Sequence, residues 1–183
     1  MLPELKTDRM IMREVTIEDA KELHSFQSRP EHWMQMAVEP EEFKNPNFRI
    51  EKYLEYRGEE HQRFIFAYVA RSNNDGRLIG QVSLSRFQHP GIASIGFGVD
   101  MRCSNQGYAT EMVQRILRYG FSDIGVHRIS AEIAIDNNAS RRVAEKASMQ
   151  FEGIARDSIF AQGKWWSEAQ YAALASDKME DAQ

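Results

Sequence analysis

The residues best placed to do chemistry are Ser104, Asn105, Gln106, Gly107, Tyr108, Ala109 and Thr110, followed by Glu111. They stand between a strand-like run, 93–99, and an amphipathic run that continues to about Ile124. A strand that turns through a short polar, glycine-containing loop into a helix leaves several backbone N–H groups without partners. Together with the helix dipole, those groups form a site for a phosphate. Gly107 lets the backbone approach the anion, and each N–H donated to a charged oxygen contributes about 1.5–3 kcal/mol. No Gly-Lys-Ser/Thr follows the loop, which argues against a nucleotide-phosphate enzyme of the P-loop kind.

The elements that must position this loop belong to a chain of 183 residues, a length that favours one domain with a substantial core. Apolar content of 42% and charged content of 27% are those of a globular protein. The net charge of −4 argues against general nucleic-acid binding, which needs a basic surface. Cys103 is the sole cysteine, so no disulfide framework or cysteine metal site is expected, and it reads as a small packing residue. The five histidines are scattered without metal-ligand spacing. The longest apolar run, 64–70, is far shorter than the roughly 20 residues of a membrane helix, and residues 1–4 show no leader pattern. The expectation is a cytoplasmic protein with no metal, nucleic-acid or membrane partner.

Along the chain, 9–15 alternates as a short strand, and Thr16 with Asp19 forms a capping-box-like start to a helix carrying Ala20, Leu23 and Phe26 inward. Residues 29–62 are the least regular, broken by Pro30, Pro40 and Pro46, with a helix predicted over about 48–57. The run 64–70 reads as a strand buried on both faces, and Asn73-Asn74-Asp75-Gly76 as a hairpin turn into a strand over 78–87. A further strand follows over 92–100. The helix after the loop places Val113, Ile116 and Leu117 on one face and is ended by Gly125. A strand over 127–135, a helix capped by Asn137 or Asn138, and two strands over 151–160 and 165–174 around Gln162-Gly163 complete the reading. Residues 176–183 read as a loose polar tail.

That order of elements, with these words in it, resembles the GNAT superfamily of N-acetyltransferases, closest to the branch of the ribosomal-protein N-terminal acetyltransferases. The matching words run from about Thr7 to Leu174. They include Arg9-Met10-Ile11-Met12-Arg13, Thr16 to Ala20, Gly96-Phe97-Gly98-Val99, Gln106 to Glu111, Asn137-Asn138-Ala139-Ser140, Glu145-Lys146 and Gly163-Lys164-Trp165. The resemblance implies a single mixed α+β (α/β) domain over 1–175, with a mostly antiparallel sheet of about seven strands. The sheet is splayed at the cofactor site and flanked by about four helices. It further implies acetyl-CoA as co-substrate, with Ser104 to Thr110 on the pyrophosphate. Phe97, Gly98 and Val99 would lie along the pantetheine arm like an added strand, Asn137 near the pantetheine and Ser140 near the thiol. Ser104 replaces the family's usual Gln/Arg, Asn105 a frequent glycine, Ser148 the glycine after the last helix, and Ser167 a frequent aspartate. Ala144 stands where many relatives carry a tyrosine that reprotonates the thiolate.

Acetyl transfer from a thioester to an amine needs a neutral amine, a polarised carbonyl and a proton for the thiolate. An α-amine (pKa about 7.7–8.0) loses its proton at pH 7 for roughly 1 kcal/mol, whereas a lysine at about 10.4 costs roughly 4–5 kcal/mol. A site with no strong base therefore suits an α-amine, or another amine of low pKa. Glu132 is the leading base by resemblance, five residues before Asn137 and on the strand face opposite Ile129, Ala131 and Ile133; a solvated strand glutamate is the blander reading. Asp157, two residues from where a relative carries its base and hence on the same face, is the second candidate. Ser140 is the thiol partner or a plain first-turn serine. Trp33, Trp165 and Trp166 could wall an amine pocket, with Trp165 expected in the core. Glu31, Glu39, Glu41 and Glu42 either attract a cationic substrate or simply form a solvated loop. The reading is an acetyl-CoA-dependent N-acetyltransferase whose amine substrate is a protein N-terminus (a peptide) or a small molecule, and a homodimer is compatible with it. The alternatives are acetylation of an antibiotic or polyamine, or a degenerate acyl-CoA-binding module without turnover.

Overall fold

The computed structural model describes residues 1–45, 47–58 and 63–177. Its centre is the strand read from the apolar run, β3 (Ile65–Ser72), buried along almost its whole length. Alternate residues of this strand feed two cores on opposite faces of one sheet. Phe66, Tyr68 and Ala70 meet Met112, Val113, Ile116 and Leu117 of a helix, α4 (Tyr108–Tyr119). Ile65, Ala67 and Val69 meet Leu23 and Phe26 of α1 (Ala20–Gln27) and Ile50 of α3 (Phe48–Glu55). This arrangement follows from the period of two in a strand, which sends successive side chains to opposite faces.

The remaining elements are β1 (Leu5–Lys6), β2 (Met10–Glu14), α2 (Pro30–Trp33), β4 (Leu78–His89), β5 (Ile92–Val99), β6 (Arg128–Ala134), α5 (Asn138–Lys146), β7 (Gln150–Ala161) and β8 (Lys164–Leu174). The eight strands lie in the order β1-β2-β3-β4-β5-β6-β8-β7. Among the described residues every neighbouring pair is antiparallel except β5 with β6. The strand beyond the seven legible in the sequence is β1, two residues paired with Met12 and Ile11, too short to show a period. The extra helix is α2, a single turn with Pro30 at its first position, where proline's missing N–H costs nothing. Pro30 therefore begins an element instead of breaking one.

Asp19 behaves as its spacing suggested: its Oδ2 accepts the Thr16 N–H at 2.9 Å, and Arg13 and Arg71 neutralise it as it is buried. The C-terminal end of α4 widens into a π turn over Gly120–Ile124, closed by Gly125 at φ 76°. One expectation about the core is reversed. Trp165 is 60% exposed, packed edge-on against Phe160, while Trp166 is 6% exposed beneath Ala134, Ala161 and Ala37. The tight turn at Gln162 and Gly163 pairs Phe160 with Trp165 and Ile159 with Trp166, and that register sends the second tryptophan to the covered face. Of the tail read over 176–183, residues 178–183 lie outside the described residues.

Candidate functional site

Strands β5 and β6 pair in parallel through Ile92–Arg128, Ala93–Ile129 and Ser94–Ser130, and no further. Beyond Ser94, β5 keeps its antiparallel partner β4 as far as Val99, and β6 keeps β8 as far as Ala134. Each strand is thus held on its outer side only, and a wedge opens between them. Half the backbone groups of 95–99 face that wedge, because a strand sends its N–H and C=O groups alternately to its two edges. The strands run the same way, so α4 and α5 both begin near the mouth of the wedge. Crevices at the carboxyl ends of parallel strands are where ligands bind in such sheets.

The loop at the end of β5 is built to leave amides free. Asp100 accepts the Arg102 N–H at 2.9 Å and caps a tight turn over Met101–Cys103, and Ser104 N–H closes that turn on the Met101 carbonyl at 3.1 Å. Asn105 (φ 58°) and Gly107 (φ 82°) then enter the left-handed region. From Asn105 to Thr110 six successive N–H groups have no acceptor among the described residues, until Glu111 N–H reaches the Gly107 carbonyl at 3.1 Å. Such a concave run of amides at a helix start attracts an anion. Two expectations are refined by this geometry. Ser104 contributes no free amide, and its hydroxyl turns to the Met101 sulfur at 3.6 Å. Asn105, in place of a glycine, adopts the glycine-like conformation, which Asn tolerates better than other side chains. Cys103 is core; burial pushes its thiol pKa up, which suits inert packing.

Register fixes which side chains share the wedge's faces. Phe97 and Val99 turn inward and pack against the core beneath α4. Gly96 and Gly98 lie on the opposite face, level with Ser83 and Gln81 of β4, and the Ser94–Ser130 pair carries that face on to Ser130 and Glu132. His32 of α2 stands over Gly98 on this same face, boxed by the rings of Phe26 and Phe43. Burial, with help from the nearby charge of Arg49 and against that of Asp100, lowers its pKa to about 4. The sequence held no signal for this histidine, which sits in the irregular stretch after Pro30.

Glu132 is exposed and accepts the Ser130 hydroxyl at 2.9 Å. At the end of β6, Asn137 Oδ1 accepts the Ser140 N–H at 3.1 Å and so caps α5. The Ser140 hydroxyl itself, half-buried in the first turn, has no partner among the described residues. Ala144, one turn on, is fully buried in the core. Asp157 does not join this group. It lies on β7, the outermost strand, two strand spacings (roughly 9–10 Å) from β6. A register shift between Ala155 and Ile159 puts Asp157 at φ 47°, with its N–H on Ser167 Oγ at 3.0 Å. Residues 156–158 stand outside the regular ladder, so counting in twos along β7 does not by itself place the Asp157 side chain. Of the tryptophans, Trp33 is half-buried on α2 and donates its indole N–H to the Ser28 carbonyl at 3.4 Å.

Among the described residues there is no cluster of three or more metal-ligating side chains, and no helix is long and apolar enough to cross a membrane. The family model described as "Acetyltransferase (GNAT) domain" matches residues 9–150. The probable N-acetyltransferase YjcK of Bacillus subtilis is 30% identical over 94% of this chain and 98% of its own. A ribosomal α-N-protein acetyltransferase (RimL) in complex with coenzyme A superposes with a TM-score of 0.81 at 17% identity, covering 94% of this chain and 98% of that one. The spermidine N-acetyltransferase of Vibrio cholerae, in complex with coenzyme A and spermine, gives 0.79 at 19% identity, covering 93% and 98%.

Proposed function

The chain belongs to the GNAT acetyltransferase family, and within it we propose that this N-acetyltransferase moves an acetyl group from acetyl-CoA to an amine of low pKa. The favoured acceptor is the α-amine of a protein or peptide, or a small amine of similar basicity. The observation that carries this reading is the wedge between β5 and β6, with its free strand edge and the six unpaired amides of 105–110 at one corner. The free edge of 95–99 suits the amides of a pantetheine arm, which would add to β5 as a further strand. The amides of Asn105 to Thr110 suit the oxygens of a diphosphate. What acetyl-CoA supplies when bound is an activated acetyl thioester.

The chain's own residues would act around that thioester. A free β5 amide would donate to the developing oxyanion, which gathers charge as the amine adds to the carbonyl. Glu132, across the mouth of the wedge, would take the amine's proton, directly or through one water. Ser140, with its hydroxyl uncommitted, would donate a proton or hydrogen bond to the sulfur as the C–S bond breaks. Asn137 would keep α5 and Ser140 in place through its cap. The choice of acceptor follows from basicity. The imidazole beside Gly98 is held neutral down to about pH 4, too weak a base to strip a lysine ammonium. The acceptor must therefore give up its proton cheaply.

The test is thiol release from acetyl-CoA over a panel of amines. Peptides with a free N-terminus should exceed the same peptides blocked there but carrying lysine by about three-hundredfold in kcat/KM, the ratio set by about 2.5 units of pKa. A preference for spermidine or for lysine side chains would overturn the acceptor assignment.

A further inference from the structure

We infer that Arg9 is a positioning residue for the diphosphate loop, holding the peptide between Gln106 and Gly107 with its N–H turned toward the cleft. The inference rests on the reading of 105–110 as the diphosphate site. Arg9 lies just before β2, three strands from the wedge, and reaches the loop from behind. Its Nη1 donates to the Gln106 carbonyl at 2.8 Å, and its Nε to Glu111 Oε2 at 2.6 Å. Its own backbone N–H takes the other oxygen of Glu111 at 3.1 Å, and its guanidinium lies 4.4 Å from the centre of the Tyr108 ring. One side chain therefore ties together the residue before Gly107, the residue after it, and the end of the first helical turn.

A trans peptide is planar, with its C=O and N–H pointing in opposite directions. Fixing the Gln106 carbonyl on Arg9 therefore fixes the Gly107 N–H on the far side. Glycine accepts either sign of φ, so without that tether the peptide can flip and present its carbonyl oxygen to an anion. The same glycine that admits the ligand makes the loop easy to misfold, and Arg9 removes that freedom. Its charge is not what acts, because Glu111 already balances it at 2.6 Å. What acts is the planar fork, which serves the carbonyl and the carboxylate together; a lysine nitrogen cannot span both while stacked on the ring.

The experiment compares Arg9→Lys, Arg9→Gln and Glu111→Gln with the unaltered enzyme. The readouts are calorimetric affinity for coenzyme A, and kinetics with acetyl-CoA and with S-acetylpantetheine, which lacks the diphosphate. Both Arg9 variants should bind coenzyme A about tenfold more weakly or worse, with KM for acetyl-CoA raised in step and kcat retained. Kinetics with S-acetylpantetheine should stay unchanged, and Glu111→Gln should move the same way by less. If Arg9→Lys binds coenzyme A like the unaltered enzyme, charge suffices and the positioning role is wrong. If Arg9→Gln loses as much with S-acetylpantetheine, the effect is general and the inference again fails. The loop reading fails separately if the unaltered enzyme does not favour the diphosphate-bearing donor, or if Gly107→Val leaves coenzyme A affinity intact.

Discussion

The imidazole of His32 rests on the α-carbon of Gly98, so closely that a β-carbon there would stand 2.9 Å from His32 Cε1. This contact joins α2 to the strand edge proposed for the pantetheine arm. The ring cannot simply turn aside, because Phe26 and Phe43 meet it edge-on at 5.1 and 6.0 Å. Gly98→Ala should therefore destabilise the protein by about 1–3 kcal/mol, as overpacking does. In a His32→Ala background the same change should cost much less. Urea unfolding of the four proteins reads the coupling, and additive effects would mean that the two residues do not press on each other.

His32 also makes stability depend on pH. Its pKa is about 4 when folded and near 6.5 when unfolded, so between these values the unfolded chain binds the extra proton. Stability is then full above about pH 6.5 and declines as pH falls toward 4, by up to about 3 kcal/mol. His32→Phe, which keeps an aromatic ring in the box, should flatten that decline. The measurement is the difference between the two proteins' unfolding free energies at pH 7 and pH 4.5. Parallel curves would show that the imidazole is free to charge in the folded state.

How much of this was legible beforehand divides along physical lines. Gly107, Gly125, Asn137 and the Gln162–Gly163 turn were readable because each answers to local backbone geometry. The strand feeding the two cores was readable because burial on both faces shows in the sequence as a continuous apolar run. Asp157 was not, because it falls inside a bulge, between Ala155 and Ile159, that leaves no mark in the sequence. Trp165 was expected in the core and is exposed, because its side is set by the register that the turn before it imposes. His32 and Arg9 act across long sequence distances, from an irregular segment and from the bend just before β2, where local pattern does not name the partner.

Ser148 offers a gain in stability. It follows α5 at φ 63°, with its N–H on the Glu145 carbonyl at 3.1 Å and the Met149 N–H on Ala144 at 3.0 Å. This is the helix ending that glycine usually occupies, and the left-handed conformation costs a serine about 1–2 kcal/mol. Part of that is returned because glycine is freer when unfolded. Ser148→Gly should still gain roughly 0.5–1 kcal/mol and raise the melting temperature by about 1–3 °C. An unchanged or lower melting temperature would show that the serine is not strained there.

Glu132 and Ser140 occupy opposite sides of the proposed proton path, and their variants should fail differently. Glu132→Gln keeps the side chain's size and its link to Ser130 but cannot take a proton. With an α-amine acceptor it should lower kcat by about a hundredfold, within the range for general base catalysis, while KM for acetyl-CoA stays put. The loss should shrink as pH rises past 8, since more of the amine is then neutral without help. Ser140→Ala should lower kcat by about tenfold at every pH, because protonation of the departing thiolate does not depend on how the amine lost its proton. It should also leave α5 intact, since the cap uses the Ser140 backbone N–H and not its hydroxyl. A Glu132→Gln deficit that persists unchanged at pH 9 would remove Glu132 as the base and leave it a solvated strand residue.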